Sequence, residues 1–179
     1  MPKSYSVLSE TEVTSNVASV DISLGHDFLV HEIVYRDITL SDTPQTLQFR
    51  LSDDNGSTFE STSSYEDSGW YVAVASGSST SNYINNGSTG ADTSGCFAEV
   101  GANSFRFGWN GSLRIYNAAS SSDKTLISYR GSGSGGGMGG SAAYFGTSIY
   151  TPTSTITDIR LMPASGNFSS GTFQLIGVM

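Results

Sequence analysis

Along much of the chain, apolar residues fall on alternate positions in short runs, the period-two signature of half-buried β-strands. Ala18, Val20, Ile22 and Leu24 alternate with Ser19, Asp21 and Ser23 up to Gly25. Leu47, Phe49 and Leu51 alternate with Gln48, Arg50 and Ser52 until the run stops in Asp53-Asp54-Asn55-Gly56, a hairpin signal. Between them, residues 28–40 (FLVHEIVYRDITL) start apolar on both parities, which predicts a bent central strand with protein on both faces. Residues 70–75 (WYVAVA) predict another strand. The polar stretch 76–95 holds too few apolar residues for a core element and is expected to be a long loop, with at most a weak strand at Tyr83-Ile84. The β pattern resumes over 97–107 and 113–116, with Asn110-Gly111 as the turn between them. Residues 118–123 then link Tyr116 to 125–129 (TLISY) in a second hairpin. Residues 142–150 and a closing pair, 156–162 and 172–178, bring the count to roughly nine to eleven strands. The closing pair flanks a turn-forming segment at 163–171 and reads as a hairpin. Its apolar end is expected to be buried in the chain's own sheet or in a neighbouring subunit.

No helical period separates these runs, which predicts a single all-β antiparallel sandwich, jelly-roll-like, with long Ser/Gly-rich loops. No fixed-period repeat supports a propeller or β-helix. With 179 residues there is material for one well-buried core, read as residues 17–179 behind an N-terminal arm, 1–16. Composition sharpens this: charged residues are 13%, Gly numbers 21 and Ser 33, so good helix formers are scarce. Aromatics at 11% supply enough apolar surface to set the chain apart from a disordered Ser/Gly segment.

Net charge is −8, and residues 1–70 carry 12 acidic against 3 basic residues. Such a surface makes nucleic acid a poor partner. A lone cysteine, Cys96, excludes an intramolecular disulfide and a Cys-based zinc site, and reads as a small buried residue. Neither an export signal nor an apolar run approaching 18 residues is expected, so no membrane insertion is foreseen and assembly in a bacterial host's cytoplasm is.

Chemistry-bearing patterns are sparse. Residues 52–59 (SDDNGSTF) match S-x-D-x-G-x-x-F and resemble the Asp-box turn of sialidase-type propellers, where it recurs once per blade; here it occurs once. Its local content is a turn in which Asp54 accepts backbone N–H groups, Gly56 takes a positive φ and Phe59 tucks beneath. Asp53/Asp54 and Glu66/Asp67, brought together with Asn55 or Asp92, would be oxygen ligands for calcium, but without ligand spacing solvated turn acids are the favoured reading and no cofactor is expected. His26 and His31, five apart on one strand, would face opposite ways. No nucleophile elbow or other catalytic constellation stands out, and no catalytic or metal residue is assigned. Residues 131–140 (GSGSGGGMGG) read as a flexible loop, with Gly135, Gly136, Gly137 and Met138 as the first place to look for a subunit contact. Trp70, Trp109 and Tyr83 are the candidate sugar contacts, since amphipathic rings stack on pyranose faces.

The hairpin sequence 47–59, the segment 111–122 (GSLRIYNAASSS) and above all 159–177, with the pattern I-R-L-x-x-x-S-G-N-x-x-S-G-T-F-x-L-x-G, resemble small virion proteins of tailed bacteriophages. That resemblance implies a β-sandwich in the particle, often oligomeric, with no catalytic residues to carry over. The expectation is a non-enzymatic virion component that forms homo-oligomers, trimers first, through the glycine-rich segment and the apolar terminal strand at Phe173, Leu175 and Val178. Its other partners would be the major capsid or tail proteins. A capsid decoration or cement role is preferred because the β pattern begins almost at once; the alternative is a tail-fibre or tail-tip adhesin that binds host surface carbohydrate.

Overall fold

A computed structural model of the chain describes residues 5–25, 28–42, 46–75, 78–84, 92–99, 108–135 and 140–179, and every regular element within them is a β-strand. The larger sheet has eight strands, in spatial order β1 (Tyr5–Val13), β12 (Phe168–Val178), β3 (Val30–Leu40), β8 (Trp109–Tyr116), β9 (Thr125–Gly135), β10 (Gly140–Tyr150), β5 (Tyr65–Ala75) and β6 (Ser78–Ile84). The smaller has four: β2 (Val20–Ser23), β11 (Asp158–Pro163), β4 (Thr46–Ser52) and β7 (Gly95–Glu99). Neighbours are antiparallel throughout. The all-β sandwich of antiparallel sheets is therefore present; an order split eight to four does not by itself establish a jelly-roll winding.

The period-two runs bury the faces they predict. In β4, Leu47, Phe49 and Leu51 turn inward while Gln48 and Arg50 lean out, and Ile159 and Leu161 of the adjacent β11 do the same. Rings bridge the gap between the sheets. Phe49 meets Tyr65 of β5 edge-on at 5.8 Å between centroids, and Tyr35 of β3 meets Phe97 of β7 at 5.5 Å. The Tyr65 hydroxyl accepts the Leu51 N–H at 2.9 Å and donates to the Glu60 carbonyl at 3.3 Å, so a buried phenol ties the sheets together with its polar end satisfied.

Glycines make room for this aromatic core. The register places Tyr35, Gly111, Gly131 and Tyr144 in one row across β3, β8, β9 and β10. The two tyrosines lie over the two glycines and meet hydroxyl to hydroxyl at 2.5 Å. A Cβ on Gly111 would collide with the Tyr35 hydroxyl, and one on Gly131 with that of Tyr144. Burial raises both phenols well above their ordinary pKa, which keeps the pair neutral. The same device recurs where Trp109 covers Gly133 and Tyr129 covers Gly146 and Gly69.

Several connections differ from the period-based expectation. The closing pair is not a hairpin: β11 belongs to the small sheet and β12 to the large one, so residues 164–167 form an arch between layers. The chain's apolar end is buried in its own sheet, with β12 held between β1 and β3. Residues 5–13, assigned to an arm, form the edge strand β1 along β12. Asn110-Gly111 lies inside β8 and is no turn; glycine is needed there because Tyr35 occupies the Cβ space. The turn after β4 also leads to the other sheet. Residues 78–84, expected to be mostly loop, pair along β5 as an edge strand, where polar Ser and Thr complete the backbone ladder without needing a core face. Residues 131–135 and 140 of the glycine-rich segment are strand rather than loop, while 136–139 lie outside the described residues. The hairpin joining β8 to β9 through residues 117–124 is as predicted.

Substituting Gly131→Ala should therefore cost about 2 kcal/mol of stability through overpacking against Tyr144. Ser132→Ala, one residue on and facing outward, should stay within about 0.5 kcal/mol of the parent. Urea unfolding of both variants checks the contrast; a neutral Gly131→Ala would contradict the packed row.

Candidate functional site

Because the small sheet covers one face of the large sheet, the large sheet's other face is left to solvent among the described residues. On an antiparallel sheet such a face is normally polar. Here its cross-strand rows differ sharply in chemistry. One row runs Tyr5, Val178, Val30, Tyr116, Leu126 and Ile149 across β1, β12, β3, β8, β9 and β10. All six are half-buried or exposed, with Tyr5 at 61% and Leu126 at 37%. Two residues further along β3, β8, β9 and β10 comes a polar row, Glu32, Arg114, Ser128 and Thr147, in which Arg114 pairs with Glu32 at 3.2 Å, while β12 and β1 continue it with Ile176 and the exposed Val7. Hydrogen bonding to Glu32 raises the Arg114 pKa further, so this cation is already neutralised by a neighbour.

The third row holds Ser112, Arg130, Phe145 and Trp70, successive partners across β8, β9, β10 and β5. Phe145 is 56% and Trp70 47% exposed. Arg130 is exposed and makes no ion pair among the described residues. Two shallow grooves flank Arg130 and Phe145, one of about 300 Å³ over Ser128 and Thr147, the other of about 700 Å³ over Ser112 and Ser132. Short serine side chains make the floors, and the arginine and the ring make the ridge.

The candidate residues distribute unevenly over this geometry. Trp70 lies on the open face, and the backbone register sets Tyr83 opposite it on β6. Trp109 does not join them: it is 1% exposed, turned into the core with its ring 5.2 Å from Tyr144, which corrects its reading as a sugar contact. Phe173 and Leu175 are likewise buried in the chain's own core and present nothing to a neighbouring subunit, because β12 alternates them inward. Val178, of opposite parity, joins the apolar row. Gly135 ends β9 opposite Gly140, and Gly136, Gly137 and Met138 fall outside the described residues. Arg130 was missed because the expected strand stopped at Tyr129, just before the glycine-rich run, and Phe145 because the parity of the expected strand 142–150 was not read. The adjacent pair Tyr144-Phe145 was the available signal, as neighbours in a strand cannot both face the core.

The acidic candidates separate too. Asp54 is consumed by its own turn: its carboxylate accepts the Thr58 N–H at 2.9 Å, the Thr58 hydroxyl at 2.7 Å and the Ser52 hydroxyl at 2.7 Å. These bonds hold its pKa down at about 2, and Asn55 and Gly56 take positive φ beside it. Phe59 carries the Arg160 guanidinium 4.1 Å above its ring, and Arg160 also reaches Asp21 with two bonds of 2.7 Å. Asp67 instead lies buried between the sheets and accepts the Cys96 N–H at 3.0 Å. Burial pushes its pKa up to about 6, against the opposing hydrogen bonds of Ser148 and Cys96 and with a smaller upward push from Asp92. Among the described residues no three or more His, Cys, Asp or Glu are grouped so as to hold a metal ion. His31 is buried, with its ring against Phe28, and His26 lies outside the described residues. No described helix is long and apolar enough to cross a membrane.

No family model matches the chain, and no curated protein or solved structure does either. Function must be argued from the exposed face and its chemistry.

Asp67 gives a pH-dependent expectation. Its folded pKa of about 6 exceeds the ordinary value of 3.8, so the folded state binds the proton more tightly. The stabilisation is present at low pH and is lost as pH rises from about 4 through about 6, by at most about 3 kcal/mol. Asp67→Asn keeps an acceptor for Cys96 and removes the titration. Relative to the parent it should gain stability at pH 7.5 and little at pH 4.5. Urea midpoints at the two pH values read the difference; an equal effect at both would show that Asp67 is not the titrating group.

Proposed function

We propose that the chain is a non-enzymatic structural protein that works through interfaces, self-assembling into a homo-oligomer and contacting other proteins of a tailed-phage particle. The observation that carries this reading is the apolar row on the open face of the eight-stranded sheet. Five inter-strand steps of about 4.8 Å give it a length of about 24 Å. A contiguous, half-buried to exposed apolar strip of that reach is the kind of feature that marks association surfaces on otherwise soluble domains. The polar row beside it, with its Glu32–Arg114 pair, supplies the rim that such interfaces carry around an apolar centre. The virion context comes from the resemblance of residues 159–177, and the lack of any assembled catalytic constellation among the described residues leaves the interface as the better account. Incorporation of residues 5–13 into the sheet as an edge strand along β12 suits a compact decoration or cement protein, the role preferred here.

A second reading, a carbohydrate-binding adhesin, is favoured by one specific observation: Trp70 and Phe145, both well exposed, are direct cross-strand partners. Exposed rings on neighbouring strands are the kind of surface on which the apolar face of a pyranose stacks.

The oligomer reading is checked by sedimentation velocity over a range of concentrations. The parent should sediment as a multimer. Leu126→Asp and Tyr116→Ser, both on exposed or half-exposed positions, should shift it to monomer while leaving the unfolding midpoint within a few degrees. A parent that stays monomeric at high concentration, or variants that still assemble, would refute the strip as the interface.

A further inference from the structure

We propose that the row Arg130, Phe145 and Trp70 is a binding site for an acidic saccharide, a pyranose carrying a carboxylate or sulfate group. This deepens the carbohydrate reading above and rests on it. The three side chains come from β9, β10 and β5, and the ladder sets them side by side in one line on the open face. Rigid strands hold their spacing, with opposed Cβ atoms about 5 Å apart at each step. Phe145 and Trp70 offer exposed ring surface for the apolar side of a sugar. Arg130 stands at the end of that platform and offers a planar fork of donors.

The charge pattern selects the class. Of the two arginines that line the groove of about 300 Å³, Arg114 is occupied by Glu32, whereas Arg130 has no carboxylate partner among the described residues. A guanidinium next to aromatic faces and short hydroxyls is suited to bidentate recognition of an oxyanion whose carrier is stacked alongside. Ser112 and Ser132, which line the larger groove with Arg130, supply hydroxyls where a ring's own hydroxyls would lie. The chain's net charge of −8 limits how densely charged the ligand can be. One anion per few sugar units suits a single free arginine; a dense polyanion such as nucleic acid does not. The Glu32–Arg114 pair lies between Arg130 and the apolar strip, and the strip reaches the site only at Tyr116, which lines the smaller groove, so the larger groove over Ser112 and Ser132 stays open when the strip is covered.

The test uses the full chain and short oligosaccharides that carry one hexuronate or one sulfated hexose per repeat. Their carboxyl-reduced and desulfated counterparts are the neutral controls, and binding is followed by titration calorimetry. Binding of an acidic oligomer, lost at least tenfold on neutralising its anion and at least tenfold in Arg130→Ala, is expected. Arg130→Lys should recover only part, since it keeps the charge and loses the fork. Trp70→Ala and Phe145→Ala should weaken acidic and neutral oligomers alike, which separates platform from anion recognition. If neutral oligomers bind as well as acidic ones, or Arg130→Ala binds as the parent does, the acidic class is overturned while the carbohydrate reading stands. If no oligomer binds, both fall. All four substitutions are at exposed positions, and unchanged thermal unfolding verifies that each variant is folded.

Discussion

Two tyrosines laid over two glycines set the spacing on which this sandwich depends. Tyr35 and Tyr144 approach from β3 and β10, and Gly111 and Gly131 vacate the space between them, so the phenols meet in the middle of the sheet and satisfy each other. Each in-strand glycine costs about 0.5–1 kcal/mol relative to alanine, while a fully buried large apolar side chain returns about 1.5–3 kcal/mol. The exchange is favourable only as a set, because a single methyl group in the row would displace a ring. Trp109 over Gly133 and Tyr129 over Gly146 and Gly69 extend the same logic across the sheet's centre. The inner face is thereby filled with rings lying over the strands, which small-sheet residues such as Phe97 can then pack against.

A wide sheet covered on one side has a functional consequence. Eight strands present an open face far broader than the four-stranded layer opposite can match, and everything on alternate positions of those strands is displayed there. Over β3, β8, β9 and β10 the rows on that face are chemically sorted: apolar at one end, an ion pair and hydroxyls in the middle, arginine and an aromatic ring beyond. The association strip and the ligand row proposed above thus lie on one surface and meet only at Tyr116, which also lines the groove of about 300 Å³ beside Arg130. Neither role asks the buried acid Asp67 to take part; its raised pKa follows from its position between the layers, where it anchors the N–H of Cys96 on the edge strand β7.

Local features were legible wherever the determining contacts are local. The turn at residues 52–59 formed as its composition implied, since Asp54 needs only the donors of its own loop and Gly56 only its own φ. The strands around Leu47–Leu51 and Val20–Ile22 declared their buried face by alternation. Burial of Cys96 and the hairpin from β8 to β9 followed the same rules. The candidate site was half legible: Trp70 and Tyr83 were singled out as aromatic candidates, but not that they are cross-strand partners, while Arg130 was hidden by the glycine run that follows it and Phe145 by an unread parity in its strand.

By itself, then, the sequence determined the fold class, the inward faces of the strongly alternating strands and the chemistry of its turns, because these depend on periodicity and on bonds within a few residues. Only the tertiary structure decided which sheet each strand joins. Period two is the same whether a turn folds back in one layer or arches to the other, so the crossing between β11 and β12 looked like a hairpin. It also decided what the glycines are for. A glycine-rich run reads as flexibility until rings from distant strands, Trp109 and Tyr144, are seen to occupy the space it leaves. The row Arg130, Phe145 and Trp70 exists only in cross-strand register, a relation between residues up to 75 positions apart that no local pattern encodes.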